Sequence, residues 1–161
     1  MEEEKNDDRL RVFRRHLPHW RLASSTYFVT FRLLTGTLNP AERVLVLNHV
    51  RSGDRKHYWL LAATVMPDHA HLILQPNSGC ALSHITKGIK GVSARLLNQD
   101  RGVSGTVWQA ESFDRIIRSE HELLEKLNYI LNNAVKNGLV VNPLDYEGLY
   151  FNLEPPQPAA Q

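Results

Sequence analysis

Two apolar runs, Tyr58 to Val65 and His69 to Gln75, are separated by only Met66-Pro67-Asp68. Pro67-Asp68 is a turn signal, so the runs read as two strands of one hairpin. The flanking segments extend this pattern in both directions. Tyr27 to Leu34 alternates as a strand, and Asn39-Pro40 opens a helix running to about Val50. There Asn caps and Pro takes the first helical position. Asn77-Ser78-Gly79 interrupts the chain before a second helix, Leu82 to Leu97. Its apolar residues fall at 82, 85, 89, 92 and 96 despite Gly88 and Gly91, a helical stripe. A fourth strand lies within Thr106 to Ile117, and Glu120 to Lys136 is the longest and cleanest helix, ended by Asn137-Gly138. The order β-α-β-β-α-β plus a final helix predicts an α+β, ferredoxin-like (split βαβ) fold. It combines an antiparallel sheet, helices on one face, and an additional C-terminal helix bearing Tyr129.

A chain of 161 residues suits one compact domain with its own core. We expect that domain to span 1–150, opening on a mobile acidic and then basic segment, 1–12. Residues 151–161 read as a Pro-rich tail. Cys80 is the only cysteine, which excludes an internal disulfide and a cysteine-rich zinc module. No apolar run approaches bilayer length and no signal-like segment opens the chain. A cytoplasmic protein without membrane contact is therefore the expectation. The net charge of +2 permits nucleic-acid binding without demanding it.

Within the hairpin, His69-Ala70-His71 places two imidazoles at i and i+2 of a strand. Such residues share one face, roughly 7 Å apart along the chain, and can converge on a metal ion. Ala70, Leu72 and Leu74 take the other face, which suits helix cover. On the final helix, Leu123, Leu124, Leu127, Ile130, Leu131, Ala134 and Val135 form one broad apolar stripe. Counting from Leu123 at 100° per residue, Tyr129 falls at roughly 240°, nearly opposite the stripe's centre. Asn133 lies four residues on, within side-chain reach of it. From the residues alone, solvated histidines and an ordinary surface tyrosine remain open alternatives.

The run Met66-Pro67-Asp68-His69-Ala70-His71-Leu72 resembles the His-hydrophobic-His motif of the single-tyrosine HUH transposases. Tyr129-Ile130-Leu131-Asn132-Asn133, followed by Gly138-Leu139-Val140, resembles that family's tyrosine helix. Leu17-Pro18-His19-Trp20, Tyr27 to Leu33, Trp108-Gln109 and Ser112-Phe113-Asp114 are similar to the REP-associated tyrosine transposase branch in particular. The likeness spans about residues 14–141, with the motifs in the family's order. One departure is that relatives usually carry proline after the position of Asn133, where this chain has Ala134.

The resemblance implies a divalent metal, Mg²⁺ or Mn²⁺, held by His69, His71 and Asn133. It implies that Tyr129 attacks a phosphodiester of single-stranded DNA beside a palindromic hairpin, leaving a 5′-phosphotyrosine link and a free 3′-OH. An ordinary phenol titrates near 10 and is only about 0.1% phenolate at neutral pH, so such chemistry needs a deprotonating assistant. Candidate DNA contacts are Arg14, Arg15, Arg32, Lys87, Lys90, Arg115, Arg118 and Lys136. Homodimer and monomer both remain open. Two other classes also stand: a noncatalytic nucleic-acid-binding module on the same scaffold, and a metal-dependent hydrolase in which the histidines activate water.

Overall fold

A computed structural model of the chain describes residues 25–152. The sequence-derived order recurs as β1 (Tyr27–Arg32), α1 (Pro40–Ser52), β2 (Tyr58–Val65), β3 (His69–Pro76), α2 (Leu82–Arg101), β4 (Phe113–Ile116) and α3 (Glu120–Lys136). A 3₁₀ turn at Pro143–Asp145 and a short β5 (Leu149–Phe151) follow. The sheet order is β4-β1-β3-β2-β5, and every pairing is antiparallel. This is the expected split βαβ sheet, with one strand added at its edge.

Local chemistry sets the helix ends. Asn39 accepts from the Glu42 amide at 2.9 Å while the Glu42 carboxylate accepts from the Asn39 amide at 2.9 Å, a complete capping box before Pro40. The same Glu42 carboxylate pairs with Arg101, tying the start of α1 to the end of α2. Ser119 caps α3 by accepting from Glu122 at 3.1 Å. α3 continues through the buried Ala134 to Lys136, so alanine at that position leaves the helix unbroken.

The two sheet faces bury different helices. Val29, Phe31, Leu60, Ala63, Val65, Ala70, Leu72 and Leu74 lie under α1 and α2, with Val46, Val50, Ile85, Ile89 and Leu97. The opposite face carries α3: Leu123, Leu127, Ile130 and Leu131 pack on Phe28, Leu61, Ala62, Ile73 and Ile117. A register shift between Leu60 and Ala62 lets Leu61 and Ala62 both join the α3 face, as an extra bulge residue requires. Without it, Ala63 and Val65 could not share a face with Leu60.

Two details differ from the sequence reading. The α2 stripe turns by one residue in its second half, so Ser93 and Leu97 are buried while Val92 and Leu96 are only partly covered. The cause is Trp108, whose indole N–H donates to Ser93 Oγ at 2.9 Å, giving a small polar residue a core role. β5 was not foreseen. It pairs with β2 and crosses the expected boundary at 150, with the Asn152 amide donating to Leu61 O at 2.8 Å. Residues 1–24 and 153–161, with the expected mobile segment, the Leu17-Pro18-His19-Trp20 motif and most of the expected tail, lie outside the described residues. Among the described residues no helix is long and apolar enough to cross a membrane.

Ile130 is fully buried beneath α3, beside Leu123, Leu127 and Leu131. Ile130→Ala is expected to lower unfolding free energy by about 3 kcal/mol, measured by urea titration.

Candidate active site between the histidine strand and the tyrosine helix

β3 begins directly after the Pro67-Asp68 turn, which puts His69 and His71 at its first and third positions. Pairing with β1 sets Thr30 opposite His71 and Arg32 opposite His69. On the other side, Thr64 of β2 pairs with His71. Directly paired residues share a face, so the two histidines, both threonines and Arg32 line the surface that α3 crosses.

Each imidazole is held through its Nδ1. His69 Nδ1 lies 2.6 Å from Asp68 Oδ1, and the carboxylate, which can only accept, makes this nitrogen the donor. His71 Nδ1 lies 2.7 Å from Thr30 Oγ1. His71 Nε2 is buried and has no hydrogen-bond partner among the described residues. We assign the proton of His71 to Nδ1, because a buried Nε2–H would be an unsatisfied donor. The His71 Nε2 then carries a lone pair, and a hydrogen-bonded Nδ1 is the arrangement that orients imidazole as a metal ligand.

α3 brings the phenol to this pair within one chain. The Tyr129 ring meets the His71 ring edge-on, with centroids 5.1 Å apart, and the His69 and His71 rings lie 4.7 Å apart. Phe28 stacks on His71 at 5.3 Å and meets Tyr129 edge-on at 6.2 Å. Tyr129 nevertheless keeps 44% of its surface exposed, whereas His71 keeps 4%. The tyrosine is thus fixed on its inner edge and open to a ligand on its outer side.

The electrostatics favour a neutral His71. Burial pushes the His71 imidazole down to about 3, and the charges of His69, Arg32 and Lys126 add to the effect. The hydrogen bond from His69 holds the Asp68 carboxyl below its ordinary range, partly opposed by burial. Lys126 sits over the Phe28 ring, its Nζ 4.8 Å from the centroid. Two cationic side chains, Arg32 and Lys126, therefore act on His71 from β1 and α3.

The remaining sequence candidates are placed as follows. Asn133 is buried, 4% exposed, one turn beyond Tyr129, and its Oδ1 accepts from Asn137 Nδ2 at 3.1 Å. Lys90 donates to Gln109 O at 2.6 Å, Ala110 O at 3.1 Å and Ser112 Oγ at 3.0 Å, so it clamps a loop. Lys87 lines the groove beside it, on a helix of the opposite layer. Arg115 pairs with Glu122 at 2.5 Å, and the Arg118 amide donates to Glu122 at 3.4 Å. Lys136 is exposed in the last turn of α3. Arg14 and Arg15 lie outside the described residues. Sequence reasoning missed Lys126, Thr30, Phe28 and Asp68 as members of the site. Lys126 was discoverable, being three residues before Tyr129 on one helix face. Thr30 and Phe28 depend on strand register, which no local pattern reveals.

Residues 46–133 match the family model described as "Transposase IS200 like". A solved structure of a REP-associated tyrosine transposase bound to a REP hairpin superposes with TM-score 0.64 and 22% identity, over 79% of this chain and 76% of that one. A transposase candidate from Deinococcus radiodurans R1 aligns at TM-score 0.42 and 22% identity, over 70% of this chain and 92% of that one. No protein of curated function matches the sequence. The family match covers more than half of the chain and takes in both the paired histidines and the tyrosine, so this chain belongs to the IS200-like transposase family.

Proposed function

We propose that this chain is a metal-dependent endonuclease and strand transferase for single-stranded, hairpin-associated DNA, of the REP-associated tyrosine transposase kind. The observation that carries the reading is the edge contact of Tyr129 with His71, whose buried Nε2 has no partner among the described residues. The REP-hairpin complex with which the fold superposes supports the choice of substrate.

The orphaned Nε2 suits a metal ligand, and the oriented Nε2 of His69 supplies a second donor. Asn133, one turn beyond Tyr129, is the third ligand that the family resemblance implies; its Oδ1 now accepts from Asn137 and would have to exchange that bond for the metal. When bound there, Mg²⁺ or Mn²⁺ supplies Lewis-acid polarisation of the scissile phosphate. The chain's own groups do the rest. Tyr129 Oη attacks phosphorus and loses its proton, the bond from phosphorus to O3′ breaks, and the 3′ oxygen takes a proton. The strand is left with a 5′-phosphotyrosine link and a free 3′-OH. That link retains the phosphodiester's reactivity, so another 3′-OH can reverse the step and join a new strand. Arg32 and Lys126 place positive charge beside His71, where it would attract the phosphate of a bound strand.

With Mn²⁺ and a hairpin-bearing DNA strand, wild-type protein is expected to form a covalent adduct that survives a denaturing gel. Tyr129→Phe should abolish the adduct and keep DNA affinity within about threefold. Cleavage by that variant at the wild-type rate would establish the hydrolase reading instead. Tight binding with no cleavage on any hairpin or metal would establish the noncatalytic module.

His69→Ala and His71→Ala are each expected to weaken Mn²⁺ binding by at least about tenfold in calorimetric titration. Unchanged affinity in both variants contradicts the metal assignment.

The metal-free protein should also lose stability in acid. His71 is held neutral in the fold, down to about 3, while the unfolded chain takes up the proton near 6.5. The stability present above about pH 6.5 therefore falls as pH drops towards 3. His71→Gln should flatten that slope in denaturant midpoints measured across the window.

A further inference from the structure

The sheet face beside the histidines continues past α3 onto the open edge of the sheet. Thr30 pairs with His71 on one side and with Phe113 of β4 on the other. Phe113 therefore points to the same face as His71, two strands away, which is roughly 10 Å at ordinary strand spacing. It keeps 61% of its surface exposed. Arg32 lies in the neighbouring row, opposite His69. A cavity of about 260 Å³ opens here, lined by Thr30, Arg32, Gln109, Glu111, Ser112 and Phe113, among others.

The rim of this cavity is built rather than incidental. Lys90 holds Gln109 O, Ala110 O and Ser112 Oγ from α2. From the other side, the Gln109 amide donates to Arg32 O at 2.8 Å, and Gln109 Nε2 donates to Leu33 O at 3.2 Å. The loop carrying Gln109 to Ser112 is thus fixed to both β1 and α2 before any ligand arrives. The cavity has room for one planar heterocycle and not for a duplex.

We propose that Phe113 is the floor of a subsite for one unpaired nucleobase of the substrate strand, adjoining the scissile phosphate. The proposal rests on the DNA-cleaving reading above and adds to it the side of the histidine pair on which the strand runs. Exposed aromatic rings beside cationic side chains are the physical means of holding single strands, and Arg32 provides the cation at the end nearer the histidines. Glu111 is an acceptor-only group on the rim, so it suits a base with an exocyclic amine, namely guanine, adenine or cytosine, over thymine. The competing occupant is a second copy of this chain pairing along the open β4 edge.

The test uses the full chain in EDTA, so that no cleavage intervenes, with a DNA hairpin carrying unpaired flanks. 2-Aminopurine is placed at each unpaired position in turn. Wild type should quench one flanking position through stacking. Phe113→Ala and Phe113→Leu should remove that quenching and weaken binding of the flanked hairpin about tenfold, with binding of the bare hairpin unchanged. Phe113→Trp should retain both properties. Undiminished flank binding by Phe113→Ala, full function in Phe113→Leu, or a change of oligomeric state on size exclusion in Phe113→Ala would each overturn the proposal. Wild-type Mn²⁺ affinity in the Phe113 variants separates loss of this subsite from loss of the metal site. Failure of wild type to form the Tyr129 adduct, with quenching intact, would remove the enzymatic reading and leave the base subsite standing.

Discussion

The antiparallel register between β1 and β3 governs everything chemical about this protein. It sets Thr30 against His71 and Arg32 against His69, and through β4 it carries the same row out to Phe113. A slip by one residue would turn every one of these side chains to the other face. Register is strongly specified here because both faces are buried by different helices. Val29, Phe31, Ala70, Leu72 and Leu74 belong under α1 and α2, and they fix where the intervening polar residues must point. The core therefore positions the site by excluding alternatives.

The second requirement is that α3 lie across the polar face without sealing it. Its stripe of Leu123, Leu127, Ile130 and Leu131 finds apolar ground because the β2 bulge donates Leu61 and Ala62 to that side. On the flank of this stripe, between Leu127 and Ile130 along the helix, the same packing leaves Tyr129 edge-on to His71 and open to solvent. Phe28 contacts both rings and carries Lys126 on its face, so one apolar side chain orders an imidazole, a phenol and a cation. The burial that keeps His71 neutral also leaves its Nε2 without a hydrogen-bond partner among the described residues, a cost that a bound cation would relieve.

Charge is handled differently in different places. Lys90, Arg101 and Arg115 are engaged by carbonyls or carboxylates and hold the scaffold together. Arg32 and Lys126 instead direct their fields at His71. A modest net charge of +2 is thereby compatible with phosphate chemistry, because local placement and not the total decides where an anion is attracted.

Much of this was legible in the chain before folding was considered. Asn39-Pro40, the three-residue turn at Met66 to Asp68, and the apolar stripe of α3 with its stop at Asn137-Gly138 are local signals, so they set the element order, the split βαβ arrangement and the bounds of α3. His69, His71 and Tyr129 were equally visible, because periods of 2 and 3.6 residues tell which side chains share a face. What no local pattern holds is which residue lies opposite which. Ser93 reads as polar surface until Trp108 packs over it, Lys90 reads as a DNA contact until a distant loop brings it three acceptors, and β5 is three residues that are a strand only because β2 has a free edge. By itself the sequence determined the elements and the faces of the candidate site residues, since those follow from neighbours within a turn or a strand. Only the tertiary structure decided that Tyr129 meets His71, that Thr30 and Phe28 join them, and that Phe113 stands open in the same row, because these depend on strand register and helix docking between residues up to about a hundred positions apart.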